Sequence, residues 1–177
     1  ITGDGLFGTH DLSRGDTLYC AATVADTSRR GFGIVRSLQQ AQRKLCRQLV
    51  RIKPERPRAL DVFNALRIEL AAHAAAEERF LYAPILLDDM GLKSSRHALA
   101  EHHEIDECVE ALAAARHRPK AWLECAKKLS HEVHHHLKEE ETKFFQLSGK
   151  ILTDRQKVTL AAKYRRDLQR MRVVLGT

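Results

Sequence analysis

His73-Ala74-Ala75-Ala76-Glu77-Glu78-Arg79-Phe80-Leu81-Tyr82 and His136-Leu137-Lys138-Glu139-Glu140-Glu141-Thr142-Lys143-Phe144-Phe145 are two copies of one element. In each copy a His precedes a Glu by four residues, a second Glu follows, and a large apolar pair closes the run. On a helix, residues four apart share a face one turn apart. Both copies lie on apolar stripes of period 3.6, the mark of a helix with one buried face. The first stripe reads Phe63, Leu66, Leu70, His73, Glu77, Leu81. The second reads Leu123, Ala126, Leu129, Val133, His136, Glu140, Phe144, Leu147.

Two more stripes accompany them. Leu99, His102, Ile105, Val109 and Leu112 form one; Leu38, Gln42, Leu45 and Leu49 form the other. Breakers set the helix limits. Helix 1 is expected over about 32–52, before Lys53-Pro54. Helix 2 is expected over about 57–88, with Pro84 kinking or ending it and Gly91 closing the region. Helix 3 is expected from a cap at Ser94-Ser95 to Arg118-Pro119. Helix 4 is expected over about 119–147, stopping at Gly149, and helix 5 from a cap at Thr153 to about 173. Short connections make neighbours antiparallel, so the fold class is all-α, an up-down-up-down four-helix bundle. Residues 1–31, which carry Gly3, Gly5, Gly8 and Gly15 without periodicity, read as an irregular arm. Residues 32–148 read as the bundle and 149–177 as an extra helix packed on it.

Composition agrees with this. The 177 residues are 44% hydrophobic and 30% charged, enough apolar content for one core and too much for disorder. No apolar run approaches the roughly 18 residues of a membrane span. The net charge is +7, but the 30 Lys and Arg are interspersed among 23 acids. That reads as solvated helix faces rather than a nucleic-acid patch. Only Lys163-Tyr164-Arg165-Arg166, with Arg170 and Arg172, is locally dense. Cys20, Cys46, Cys108 and Cys125 contain no CxxC, which fits free thiols and a cytoplasmic location.

Four antiparallel stripes meet at the bundle axis, and so do their polar interruptions. Burying Glu77 and Glu140 together costs several kcal/mol per carboxylate unless a cation compensates. His73, His102 and His136 supply neutral nitrogen donors for a divalent metal. Two His/Glu elements on two helices suit a site of approximate two-fold symmetry in which two Glu bridge two ions. The alternative for the same residues is a pair of buried His–Glu ion pairs. His103, His131, His134 and His135 turn off the stripes, and His10, His97 and His117 carry no such pattern.

These segments, with Glu101-His102-His103-Glu104-Ile105-Asp106-Glu107 between them, resemble the hemerythrin-like (HHE cation-binding) family over about residues 32–148. The resemblance implies a four-helix bundle around a non-haem di-iron centre. His73, His102 and His136 would be terminal ligands, and Glu77 and Glu140 would bridge. Iron is the implied metal, two ions rather than one, with zinc as the alternative; O2, peroxide or NO is the implied small-molecule ligand. If the protein is an enzyme, it would be a non-haem iron-dependent oxidase, oxygenase or peroxidase-type oxidoreductase. One departure stands out: Gln42 occupies the place where the family supplies a His from helix 1. The ion near His73 is then short of a ligand, and Glu69, Asp106 and His10 are the candidates to line that side. The second functional reading is a non-catalytic regulatory module, with a structural metal and a basic helix 5 that meets a protein partner.

Overall fold

Prolines and local caps place the helix ends in the computed structural model, which describes residues 33–176. The expected arm at 1–31, with His10 and Cys20, lies outside the described residues. Helix α1 spans Gly33–Arg51 and α2 spans Pro57–Glu77. Pro57 sits in the first turn of α2, where its missing N–H leaves no hydrogen bond unmade.

Pro84 neither ends nor simply kinks the second helix. Its lack of an N–H removes the bond that Phe80 would accept. The chain instead widens into a π turn over Glu78–Tyr82, closed by the Ala83 N–H donating to the Glu78 carbonyl, and continues as the short α3, Ala83–Leu86.

Helix α4 spans Asp89–Ala114 and starts before the expected Ser94-Ser95. The true cap is Asp88, whose carboxylate accepts from Met90 N at 2.9 Å. Gly91 lies inside the first turn of α4 rather than closing the region before it. A Cβ there would lie 2.2 Å from the Ile85 carbonyl oxygen, so only glycine allows this approach.

Helix α5 spans Pro119–Glu139. It opens into a second π turn over Glu140–Phe144 and resumes as α6, Phe145–Ile151. It therefore passes through Gly149, the expected stop. Nothing lies within 4 Å of a Cβ built at Gly149, so the residue costs α6 only its helix propensity, about 1 kcal/mol. Helix α7 spans Asp154–Gly176 and begins with a reciprocal cap. Thr153 N donates to Gln156 Oε1 at 2.9 Å, and Gln156 N donates to Thr153 Oγ1 at 3.3 Å.

The bundle closes by α1 packing on α2 and α5, and α4 on α5, while α7 lies along α2. Across the seam between α1 and α5, Arg43 in the middle of α1 reaches Glu141, just past the end of α5, at 2.9 Å. Two apolar clusters fill the interior. One holds Cys46, Leu49, Phe63, Leu66, Leu112, Trp122 and Leu129 among others. The other holds Leu38, Ala72, Ala76, Ile85, Phe144, Phe145 and Leu168. Along α2 the change from one cluster to the other falls between Leu70 and Ala72, and along α5 after Leu137. The polar interruptions sit at this junction.

The stripes hold with one clear exception. Leu99, expected to face inward, is 36% exposed, and its neighbour Ala98 takes the buried place. Cys46, Cys108 and Cys125 are free, and burial pushes the Cys46 thiol up to about 12, so it is inert at ordinary pH. No described helix is long and apolar enough to cross a membrane.

Candidate metal centre

Helix α2 presents His73 and Glu77 one turn apart, α4 presents His102, and α5 presents His136 with Glu140 at the mouth of the second π turn. All of these are buried. Two triads form with ligand atoms lying within 4.8 Å of one another: Glu77, His102 and His136, and His73, Glu77 and Glu140. Glu77 belongs to both. Nε2 of His102 and Nε2 of His136 are 3.1 Å apart, and Glu77 Oε2 is 3.5 Å from His102 Nε2. Glu140 Oε2 lies 3.8 Å from His136 Nε2, so Glu140 also borders the first triad. A cavity of about 20 Å³, walled by Gln42, His73, Glu77, His102, Asp106 and His136, lies among them. A space of that size holds a water-sized occupant and little more.

The inward atoms test whether a cation fits. His73 Nε2 and Glu77 Oε1 approach to 2.6 Å, yet neither has a hydrogen-bond partner of acceptable angle. Both are buried, where unmade hydrogen bonds are expensive. Two buried polar atoms that converge with poor hydrogen-bond geometry are what a common cation would satisfy. The donor set, three imidazoles and two carboxylates, suits iron or zinc rather than magnesium or calcium. The residues fit a metal.

The electrostatics lead the same way. Burial opposes charge on His73, but Glu77 and then Glu140 outweigh it and raise the imidazole above its ordinary value. Burial likewise opposes charge on His102, and the hydrogen bonds it donates to Glu77 and Glu78 carry it up to about 10. Burial would raise Glu77, but His73 and His102 draw it well below the carboxylate range. Glu140 is raised, first by burial and then by the Glu77 charge. The buried carboxylates thus favour positive charge on His73 and His102, as they would favour a cation beside them.

The outward ring nitrogens are each held. Nδ1–H of His102 donates to Glu78 Oε1 at 3.0 Å, and Nδ1–H of His136 donates to Glu101 Oε2 at 3.0 Å. Such carboxylate contacts fix the tautomer that leaves Nε2 free for a metal. Glu101 in turn accepts from His135 Nδ1 at 3.1 Å.

His73 differs, because its Nδ1 meets the Gln42 amide, Nε2 to Nδ1, at 2.7 Å. Gln42 Oε1 is buried without a partner. Turning the amide over sets Oε1 against Nδ1–H, which leaves His73 Nε2 as an inward lone pair. Gln42 thus reaches the centre through the outer face of His73. Gln39 holds Glu140 from the same helix, with Nε2 donating to Oε2 at 3.0 Å.

Two tyrosines complete the surroundings. The Tyr82 hydroxyl donates to Glu140 Oε1 at 2.5 Å and lies 3.4 Å from both Glu77 Oε2 and His102 Nε2. Burial, then Glu140 and Glu77, hold its phenol well above the usual range, so it carries a proton. Tyr164, from α7, stands edge-on to His73 with ring centroids 6.1 Å apart.

The five residues expected at the centre therefore meet there. The candidates for the vacant ligand place do not all follow. Asp106 lies on the cavity wall but is exposed. The Glu69 carboxylate turns away to Arg172 at 2.6 Å, and only its backbone carbonyl, 3.4 Å from the Gln42 amide, faces this side. His103 is exposed beside Glu107, and His131 and His134 lie off the centre. Gln39, Glu78, Tyr82, Glu101 and Tyr164 were not singled out from the pattern. Glu78 and Glu101 had a signal, each adjoining a proposed ligand.

The family described as Hemerythrin HHE cation binding domain matches residues 31–148. No curated protein and no solved structure matches the chain.

Proposed function

The chain belongs to the hemerythrin HHE cation-binding domain family, and from that premise we propose that it binds iron between α2, α4 and α5. His102, His136 and Glu77 would hold one ion; His73, Glu77 and Glu140 would hold the second, with Glu77 shared. Bound iron would supply redox chemistry and coordination positions for a small ligand such as O2, peroxide or NO. The protein's part is orientation, exclusion of water and control of protons. Glu78 and Glu101 keep the His102 and His136 rings turned inward. The two apolar clusters seal the junction on either side. Tyr82 holds a proton at Glu140 Oε1, where it is available to a bound molecule.

The observation that carries this reading is the convergence of His73 Nε2 and Glu77 Oε1 without a hydrogen bond. Metal analysis of the purified chain, with anomalous scattering at the iron edge, tests it. Iron is expected, and Glu77→Ala should lower the iron-to-protein ratio sharply. An unchanged ratio rejects the assignment. A single zinc ion would favour the second reading, a structural metal with α7 facing a partner. That reading is weakened by Arg170 and Arg172, which are engaged within the protein by Asp167 and Glu69.

A further inference from the structure

Helix α7 lies outside residues 31–148, the part matched by the family, yet it packs on the helix that carries His73 and Glu77. Ala72 and Ala76, both fully buried on α2, let it come close. Two ion pairs fix its position. Arg172 meets Glu69 at 2.6 Å, and Asp167 meets Arg79 at 2.6 Å, so both clasps reach the segment flanking the proposed ligands. Tyr164 is thereby set against His73, ring edge to ring, with an interplanar angle of 86°. It is 5% exposed, and its hydroxyl has no hydrogen-bond partner. A phenol buried in this way is a donor awaiting an acceptor.

The acceptor has a natural place. An ion held by His73, Glu77 and Glu140 would have three protein ligands, with only the Gln42 amide, behind His73, coming from α1. Gln39 Oε1 is also buried and unpartnered. Tyr164 on α7, beside His73, and Gln39 on α1, beside Glu140, thus carry buried hydrogen-bonding groups without partners next to the ligands of that ion. We propose that the Tyr164 hydroxyl is a binding residue of the centre, donating a hydrogen bond to the small anionic or diatomic ligand that occupies the His73-side ion. The inference rests on the iron-binding reading above. It makes α7 a contributor to ligand affinity and not only a cover.

Azide binding to the ferric-loaded full chain tests it. Tyr164→Phe removes only an unpaired hydroxyl, so iron content and melting temperature should stay at the wild-type values. Azide affinity should fall about tenfold, the worth of one hydrogen bond. The shift of the azide stretch between H2O and D2O should shrink with it. Equal azide affinity in two proteins that both hold iron overturns the proposal. So does loss of iron from Tyr164→Phe at an unchanged melting temperature, because the hydroxyl would then be a metal ligand. If the wild type takes up no iron, the iron-binding reading fails first and this one falls with it.

Discussion

Glu140→Gln separates a metal ligand from a structural carboxylate, because the structure predicts different effects in the ion-free and loaded protein. Gln is nearly isosteric with a carboxyl that already takes part in two hydrogen bonds. Tyr82 donates to one oxygen at 2.5 Å and Gln39 to the other at 3.0 Å. In the variant the first bond survives on the amide oxygen. The second would oppose two N–H groups, but Gln39 Oε1 has no partner, so turning the Gln39 amide over restores it. The ion-free variant should therefore lose less than about 1 kcal/mol, or about 2–4 °C in a chain of this size.

Loading gives the contrast. At iron one hundred times above Kd, binding adds about 2.7 kcal/mol, a rise of about 5–11 °C in the wild type. Removing a charged ligand should cost at least the roughly 100-fold in affinity that follows loss of a ligand's outer hydrogen bond. At the same iron concentration the variant would then gain only about 0.4 kcal/mol, or about 1–2 °C. Anaerobic scanning calorimetry with and without Fe(II) reads both numbers. An iron-induced rise in the variant equal to the wild type would refute the ligand role. A large drop in the ion-free variant would show that Glu140 serves the bundle instead.

Gln42→Ala removes the contact on the outer face of His73 and should weaken the His73-side ion about 10- to 100-fold while sparing the other, as read by chelator competition; equal loss of both ions would contradict this. Gly91→Ala drives a methyl against the Ile85 backbone and should cost about 1–3 kcal/mol, seen as a lower urea midpoint. Asp167 has a depressed pKa, since Arg170 and Arg79 overcome the opposing effect of burial. A depressed carboxyl stabilises above its unfolded value and loses that contribution as pH falls through the folded one. Asp167→Asn should therefore cost about 1 kcal/mol at pH 7, and the gap in melting temperature should close below about pH 4.

Much of the centre was legible because burial and polarity conflict visibly in a periodic stripe. His73, Glu77, His102, His136 and Glu140 each break an apolar run at helical spacing, and the axis of the bundle gathers them. Tyr82 was hidden by the assumption of a uniform helix. Five residues past Glu77 on an α-helix lies about 140° away from it. The π turn over Glu78–Tyr82 winds more slowly and carries Tyr82 back over the Glu77 face, 3.4 Å from its carboxylate. Pro84 was read as a kink or an end, but a proline cannot say from its own position which way the preceding turn will relax. The start of α4 was misplaced because Ser94-Ser95 is a plausible cap in isolation; Ser95 is in fact buried, and Asp88 caps. Tyr164 belongs to a helix whose stripe is short and whose partner, α2, is distant in sequence, so no local pattern reported it.

The seam between α2 and α7 separates two kinds of boundary. By descent, the recognisable module ends at residue 148. By packing, it does not end there, since Leu38, Ala72, Ala76 and Phe144 share one apolar cluster with Leu152, Tyr164 and Leu168. A boundary drawn by ancestry cuts through that cluster and lays its α2 face open to water beside His73 and Glu77. Water at that face would raise the local dielectric around the carboxylates and soften every charge interaction the centre relies on. The inherited module and the packed unit are thus different lengths of the same chain.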